Sequence, residues 1–321
     1  MRKETFLKGF LFVILRRIFR QGKESNMIEH INWYPGHMKK TRELIQENLK
    51  MVDLVIEVTD ARIPVSSRNP IIDELVQEKP RIIVLNKSDL ADEQQSAAWC
   101  SFFRSQRNLA LAMNCAAGEG VKELYRMLAE MQAQKNKDSL RQKSLRMMIV
   151  GVPNVGKSSL INRMTGKKSA KTGDRPGVTR GKQWLNLENG MQLLDTPGIL
   201  WPKFEDPKVG LNLAFCGSIR DEILDTPTLA LELLTVLAKD YPELIEARYQ
   251  VEVPEGIPYS ESDGEYSEKP ELTLFNDICK KRGWILPGKR LDYERAGRTI
   301  LDEFRGGRIG RITLERREQH T

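Results

Sequence analysis

The pattern Gly151-Val-Pro-Asn-Val-Gly156-Lys157-Ser158 stands behind the tetrapeptide Asn86-Lys87-Ser88-Asp89, and this order constrains the fold more than any other feature of the chain. The later pattern is a phosphate-cradling loop. It matches GxxxxGK[ST] without a mismatch and follows the apolar run Leu145-Arg-Met-Met-Ile-Val150, which reads as a buried strand. Gly151 and Gly156 let successive N–H groups point inward as an anion nest. Lys157 can reach β- and γ-phosphate oxygens, and Ser158 can offer its hydroxyl to Mg²⁺. A helix opening near Lys157 turns its positive dipole end toward the phosphates. Asn154, Val155, Gly156, Lys157, Ser158 and Ser159 are therefore nucleotide-binding candidates. The bland alternative, a chance Gly-rich turn, does not account for the strand in front of it.

A phosphate loop does not choose between bases; the tetrapeptide does. It ends the apolar run Pro80-Arg-Ile-Ile-Val-Leu85, so it sits at a strand's carboxyl end, where open α/β sheets bind ligands. Asp89 can accept hydrogen bonds from both N1–H and the exocyclic amine of guanine. Adenine lacks that donor pair and would leave the carboxylate unpaired. Asn86 can tie the two loops together, and the stem of Lys87 can lie along the base. An isolated NKxD is usually a polar turn; beside a P-loop it specifies a guanine nucleotide, GTP or GDP.

The rest of such a site is also present. Asn114-Cys115-Ala116-Ala117-Gly118 occupies the place of a loop whose backbone N–H meets guanine O6, with Cys115 where serine is usual. Asp195-Thr-Pro-Gly198 follows the run Met191-Gln-Leu-Leu194; Asp195 can hold Mg²⁺ through a water, and the Gly198 N–H can contact the γ-phosphate. Thr179 lies in a Gly-containing loop between the P-loop and Asp195, the position of the switch threonine that completes Mg²⁺ coordination. A turn residue is the alternative there. All parts of a GTPase site are present in rotated order, which marks a circular permutation.

With these motifs assembled, the chain resembles the ribosome biogenesis GTPase A family, the YlqF-type circularly permuted GTPases, from Met27 onward. The resemblance also rests on Trp33-Tyr34-Pro35-Gly36-His37-Met38, Asp60-Ala61-Arg62-Ile63-Pro64, Gly210-Leu-Asn-Leu-Ala-Phe215 and Phe304-Arg-Gly-Gly-Arg-Ile-Gly-Arg311. It implies a GTP-driven role late in assembly of the large (50S) ribosomal subunit, with its precursor, rRNA and ribosomal proteins as partners. Ile199 stands where Ras-like enzymes place a water-orienting glutamine, and an aliphatic group cannot take that task. The family's substitute is the histidine of the Trp-Tyr-Pro-Gly-His segment, here His37, which is chemically able to orient water; a structural cap on the following helix is the equal alternative. With Lys157 and Thr179, His37 completes the catalytic candidates. The resemblance also implies that Asn154 matches the asparagine of K⁺-activated GTPases, whose oxygen joins phosphate oxygens around that ion, a loop residue that merely tolerates the turn being the alternative.

Charge supports a polyanionic partner. Residues 280–321 hold twelve Lys/Arg against six Asp/Glu, within a chain of 321 residues and net charge +7. Arg290, Arg295, Arg298, Arg305, Arg308 and Arg311 are the RNA-facing candidates, a solvated helix face being the ordinary alternative. Four widely spaced cysteines form neither a metal pattern nor a disulfide framework, and a reducing cytosol is expected. The apolar run Phe10–Leu15 is too short to span a membrane. Residues 1–26 read either as a mitochondrial targeting lead or as an upstream start before Met27. A cytoplasmic monomer without membrane attachment is expected, a mitochondrial counterpart being the alternative. A nucleotide-gated RNA scaffold with little turnover is the reading outside the enzyme class.

The fold expected is α/β: a doubly wound P-loop GTPase domain over residues 27–205 with permuted motif order, followed by a mainly α-helical RNA-binding domain over 206–321. Helical periodicity places Ala296, Ile300, Leu301 and Phe304 on one face of Tyr293–Arg305, and Glu252–Glu271 reads as a loop. Because the switch residues lead directly into the second domain, loss of the γ-phosphate could reorient that domain.

Overall fold

A computed structural model describes residues 43, 45–76, 79–166, 183–187, 190–195, 206–257 and 269–317. Its centre is a six-stranded sheet of β1 (Leu54–Asp60), β2 (Arg81–Asn86), β3 (Leu109–Met113), β4 (Arg146–Val150), β5 (Gln183–Asn186) and β6 (Gln192–Asp195). The spatial order is β3-β2-β1-β4-β6-β5. All neighbouring pairs are parallel except β5–β6, which is antiparallel at the edge. Near-continuous Val, Ile and Leu runs suit strands covered on both faces, and every residue of β1 is buried.

Helices α1 (Pro70–Leu75), α2 (Glu93–Ser105), α3 (Val121–Asn136) and α4 (Lys157–Thr165) connect these strands. Local signals set their starts. Asn69 accepts from Ile71 N at 3.0 Å with Pro70 in the first turn, and Asp92 accepts from Gln95 N at 2.8 Å. The chain lays down β1, β2 and β3 outward in one direction, then restarts with β4 on the other side of β1. The switch point between β1 and β4 opens the crevice in which such sheets bind ligands. The permutation has thus changed the order of synthesis and left a doubly wound sheet intact.

Beyond the sheet come α5 (Pro207–Phe215), α6 (Thr226–Asp240), α7 (Pro242–Tyr249), α8 (Pro270–Lys281) and α9 (Tyr293–Arg305). In α9 the expected face, Ala296, Ile300, Leu301 and Phe304, is buried. A small antiparallel hairpin, β7 (Ile285–Leu286) with β8 (Arg290–Leu291), interrupts this helical region; the Pro287-Gly288 turn between apolar residues is its signal in the sequence. One hydrophobic cluster runs from sheet residues such as Ile56 and Ile149 to Leu213, Phe215, Phe304, Ile312 and Leu314. After α9 the chain turns back, and residues 311–317 lie against the sheet domain: Ile312 N donates to Leu90 O at 2.9 Å and Leu314 N to Arg62 O at 2.8 Å. The two expected domains share one core and are cross-tied by the last described residues.

Candidate functional site

The carboxyl ends of β1, β2, β3 and β4 bring three loops together. Asn86 closes β2 and is 4% exposed. Its Nδ2 donates to Val155 O at 2.6 Å, and its Oδ1 accepts from Cys115 N at 2.9 Å. One buried amide therefore joins the tetrapeptide, the P-loop and the Cys115 loop; a buried group of this kind left unpaired costs about 1–3 kcal/mol. Cys115 is buried, and burial pushes its thiol up to about 12 against the opposing effect of Arg163, so it is neutral. Ala116 and Asp89 are exposed.

The P-loop depends on its glycines for space. A Cβ on Gly156 (φ 98°) would stand 2.1 Å from Asn86 Nδ2, and one on Gly151 (φ 152°) would stand 2.3 Å from Val58 O. Lys157 is 8% exposed and folds back over the loop, donating from Nζ to Gly151 O at 3.1 Å and Val152 O at 2.8 Å. Helix α4 opens at this residue, with Ser158 and Ser159 in its first turn. A glycine cradle, an ammonium and a helix N-terminus at one spot suit a polyphosphate. Ser158 is at the helix start, and Asp195 ends β6 opposite Ile149 of β4, two residues before Gly151.

At the guanine end the backbone is held by charge. Lys87 has φ 61°, a left-handed conformation unfavourable for a residue with a side chain. Its Nζ pairs with Asp60 Oδ2 at 2.9 Å, and Arg62 grips the same carboxylate through Nε at 2.9 Å and Nη2 at 2.8 Å. Burial alone would raise the pKa of Asp60, but Arg62 and Lys87 outweigh it and hold the carboxyl well below its ordinary value. Arg62 also points Nη1 toward the carbonyls of Phe304 and Arg305, each at 3.5 Å, and lies 5.1 Å from the Phe304 ring centre. A buried cation at the end of α9 complements its dipole. Asp60 and Arg62 figured in the sequence only as a family-like motif. The signal for their role was a charged residue closing a fully buried strand.

Two of the six arginines expected to face RNA have their guanidinium groups engaged by other parts of the chain. Arg305 donates to Phe215 O at 2.9 Å and Ala214 O at 2.8 Å, closing the end of α5, and pairs with Asp221 at 2.7 Å. Arg311 donates from Nε to Ala91 O at 2.8 Å and from Nη2 to Ser88 O at 3.0 Å. The expectation that Arg305 is available off the buried face of α9 does not hold. Charge is legible in a sequence, whereas the carbonyls that claim it lie far away along the chain. Arg290, Arg295, Arg298 and Arg308 are exposed. Asn154, at φ 61°, donates from Nδ2 to Gly217 O at 2.6 Å, so the helical region also touches the P-loop. His37, Thr179, Gly198 and Ile199 lie outside the described residues. No described helix is long and apolar enough to cross a membrane.

Comparison with known proteins agrees with this geometry. A family model described as "50S ribosome-binding GTPase" matches residues 146–248. The chain is 44% identical over 294 residues to the Ribosome biogenesis GTPase A of Bacillus cereus, covering 90% of this chain and 95% of that one. It is 36% identical over 306 residues to the Mitochondrial ribosome-associated GTPase 1 of Mus musculus, covering 88% and 90%. Among solved structures, GNP-bound YlqF from T. maritima aligns with a TM-score of 0.58 at 30% identity, over 86% of this chain and 98% of that one.

Proposed function

The chain belongs to the ribosome biogenesis GTPase A family, and on that premise we propose how its nucleotide site is coupled to a ribosomal particle. It is a GTPase and an assembly factor in ribosomal subunit biogenesis. In our reading its particle is the large-subunit precursor, engaged at a late step through rRNA and ribosomal proteins by a cytoplasmic monomer in the GTP state. The observation that carries this is the double attachment of the helical region, to the P-loop at Asn154–Gly217 and to the guanine loop at Arg311–Ser88. A particle that grips the helical region has mechanical access to both ends of the nucleotide.

In this mechanism Asp89 reads the base, and the P-loop amides with Lys157 hold the phosphates. Ser158, Asp195 and Thr179 are the residues that would hold Mg²⁺, which neutralises phosphate charge when bound. Asn154 would supply oxygen to K⁺, with its amide nitrogen steadied by Gly217. His37 orients the attacking water, the task Ile199 cannot perform. The experiment is GTP hydrolysis in K⁺ buffer with and without purified large subunits. Stimulation is expected to be about tenfold or more, and His37→Ala should lower the stimulated rate by roughly 10²-fold. Equal rates with and without subunits would remove the ribosomal coupling. Stimulation intact in His37→Ala would remove the histidine alone, and equal rates in Na⁺ would remove K⁺.

The exposed Arg290, Arg295, Arg298 and Arg308 are our choice of phosphate contacts. The nearby hairpin adds exposed Ile285 and Leu286 beside Arg290. Replacing each arginine by glutamine should weaken binding to rRNA fragments and reduce the slope of log affinity against log salt by about 0.7–0.9 per contact. A slope unchanged in the fourfold variant would place the RNA surface elsewhere.

A further inference from the structure

The segment 311–317 is bonded to four of the five residues from Ser88 to Asp92, the stretch that leads from the guanine tetrapeptide into α2. Arg311 reaches Ser88 O at 3.0 Å and Ala91 O at 2.8 Å, Ile312 N reaches Leu90 O at 2.9 Å, and Asp92 N donates to Thr313 Oγ1 at 3.1 Å. Asp89 is exposed in the middle of that held stretch. Ser88 is pinned from its other side as well, its N–H donating to Met113 O at 3.1 Å. The carbonyl of Ser88 belongs to the peptide unit immediately before Asp89, so fixing that oxygen fixes the plane from which the carboxylate projects. The preceding Lys87 is in the left-handed region, and the loop needs outside support to stay there.

The segment has its own anchors. Tyr241 Oη donates to Thr313 O at 2.9 Å and accepts from Thr313 N at 3.1 Å, tying it to the junction of α6 and α7. Trp99 Nε1 donates to Glu315 O at 2.7 Å, and the Glu315 carboxylate takes Val65 N at 2.6 Å and Ser66 N at 3.0 Å.

We infer that residues 311–317 form a strap that positions the guanine loop, with Arg311 as its positioning residue, so that nucleotide release and base discrimination depend on the seating of this strap. Its attachment to the helical region at Tyr241 gives a particle that displaces that region a way to loosen the base. This rests on the reading of Asn86–Asp89 as the guanine loop, and the two are separable by experiment.

The test measures dissociation of fluorescent GDP, and the affinities for GDP, IDP and XDP, in the full chain. IDP lacks the exocyclic amine that Asp89 accepts from. Arg311→Ala should speed GDP release about tenfold, equivalent to about 1.4 kcal/mol, and should lower the preference for GDP over IDP, with Arg311→Lys falling between. Since Arg311 is half exposed, both variants should keep the circular dichroism of the parent. Release within twofold of the parent in both variants would overturn the inference. So would an equal loss for GDP and IDP, which marks general loosening without base positioning. Separately, Asp89→Asn should exchange GDP preference for XDP; retained GDP preference there would overturn the guanine-loop reading itself.

Discussion

Lys157→Ala is expected to lower kcat for GTP hydrolysis by roughly 10²–10³-fold, the loss typical of one preorganised donor at a charged transition state. The ammonium is nearly buried and already held by Gly151 O and Val152 O, so little rearrangement separates its resting place from a phosphate lying in the nest. Preorganisation of this kind makes a donor worth more than its hydrogen bonds would be in water. Alanine also leaves those carbonyls without their partner, so nucleotide affinity should fall along with turnover. Single-turnover hydrolysis at saturating GTP separates the two effects. A kcat within threefold of the parent at saturation would remove Lys157 from the chemical step.

The second large effect is on stability. Arg62→Met should cost about 3–5 kcal/mol, because removing one partner from a buried ion pair leaves the other charge poorly compensated. Lys87 still contacts Asp60, which favours the lower end of that range. The lost contacts to Phe304 O and Arg305 O also loosen α9 from the sheet domain. Replacing both partners, Asp60→Leu with Arg62→Met, should cost less than Arg62→Met alone, since no fully buried charge is left behind and Lys87, which loses Asp60, is partly exposed and can turn to water. Chemical unfolding midpoints at unchanged slope measure both. A single variant that loses under 1 kcal/mol would show the pair to be dispensable. The pH dependence has a definite sign. The folded pKa of Asp60 is below its ordinary 3.8, so its contribution is fully present above that value and is lost as pH falls toward the folded value.

The parts of the molecule defined by local chemistry could be read from the chain. The P-loop, the tetrapeptide and the strands before them each need residues adjacent in sequence, as does the inward face of α9. What could not be read was pairing over distance. Arg305 and Arg311 look like any basic tail until their acceptors appear, some 90 and 220 residues earlier. Asp60 and Arg62 are two residues apart, but their significance comes from Lys87 and from the end of α9, which the fold delivers. Cys115 was the weakest match by residue type. Its loop is nevertheless tied to the P-loop through Asn86, because that contact uses the Cys115 backbone and is indifferent to its side chain.

The placement of residues 311–317 has a consequence for how the protein matures. During synthesis β1, β2 and β3 emerge first, and the guanine loop is complete in primary structure long before the P-loop follows. The segment that braces it leaves the exit tunnel only after both. A nascent chain with every nucleotide motif already translated therefore still lacks these contacts to residues 88–92 until residues 311–317 have been made. On the inference of a strap at residues 311–317, guanine recognition matures only after the helical region has been made, although its tetrapeptide is translated before the P-loop.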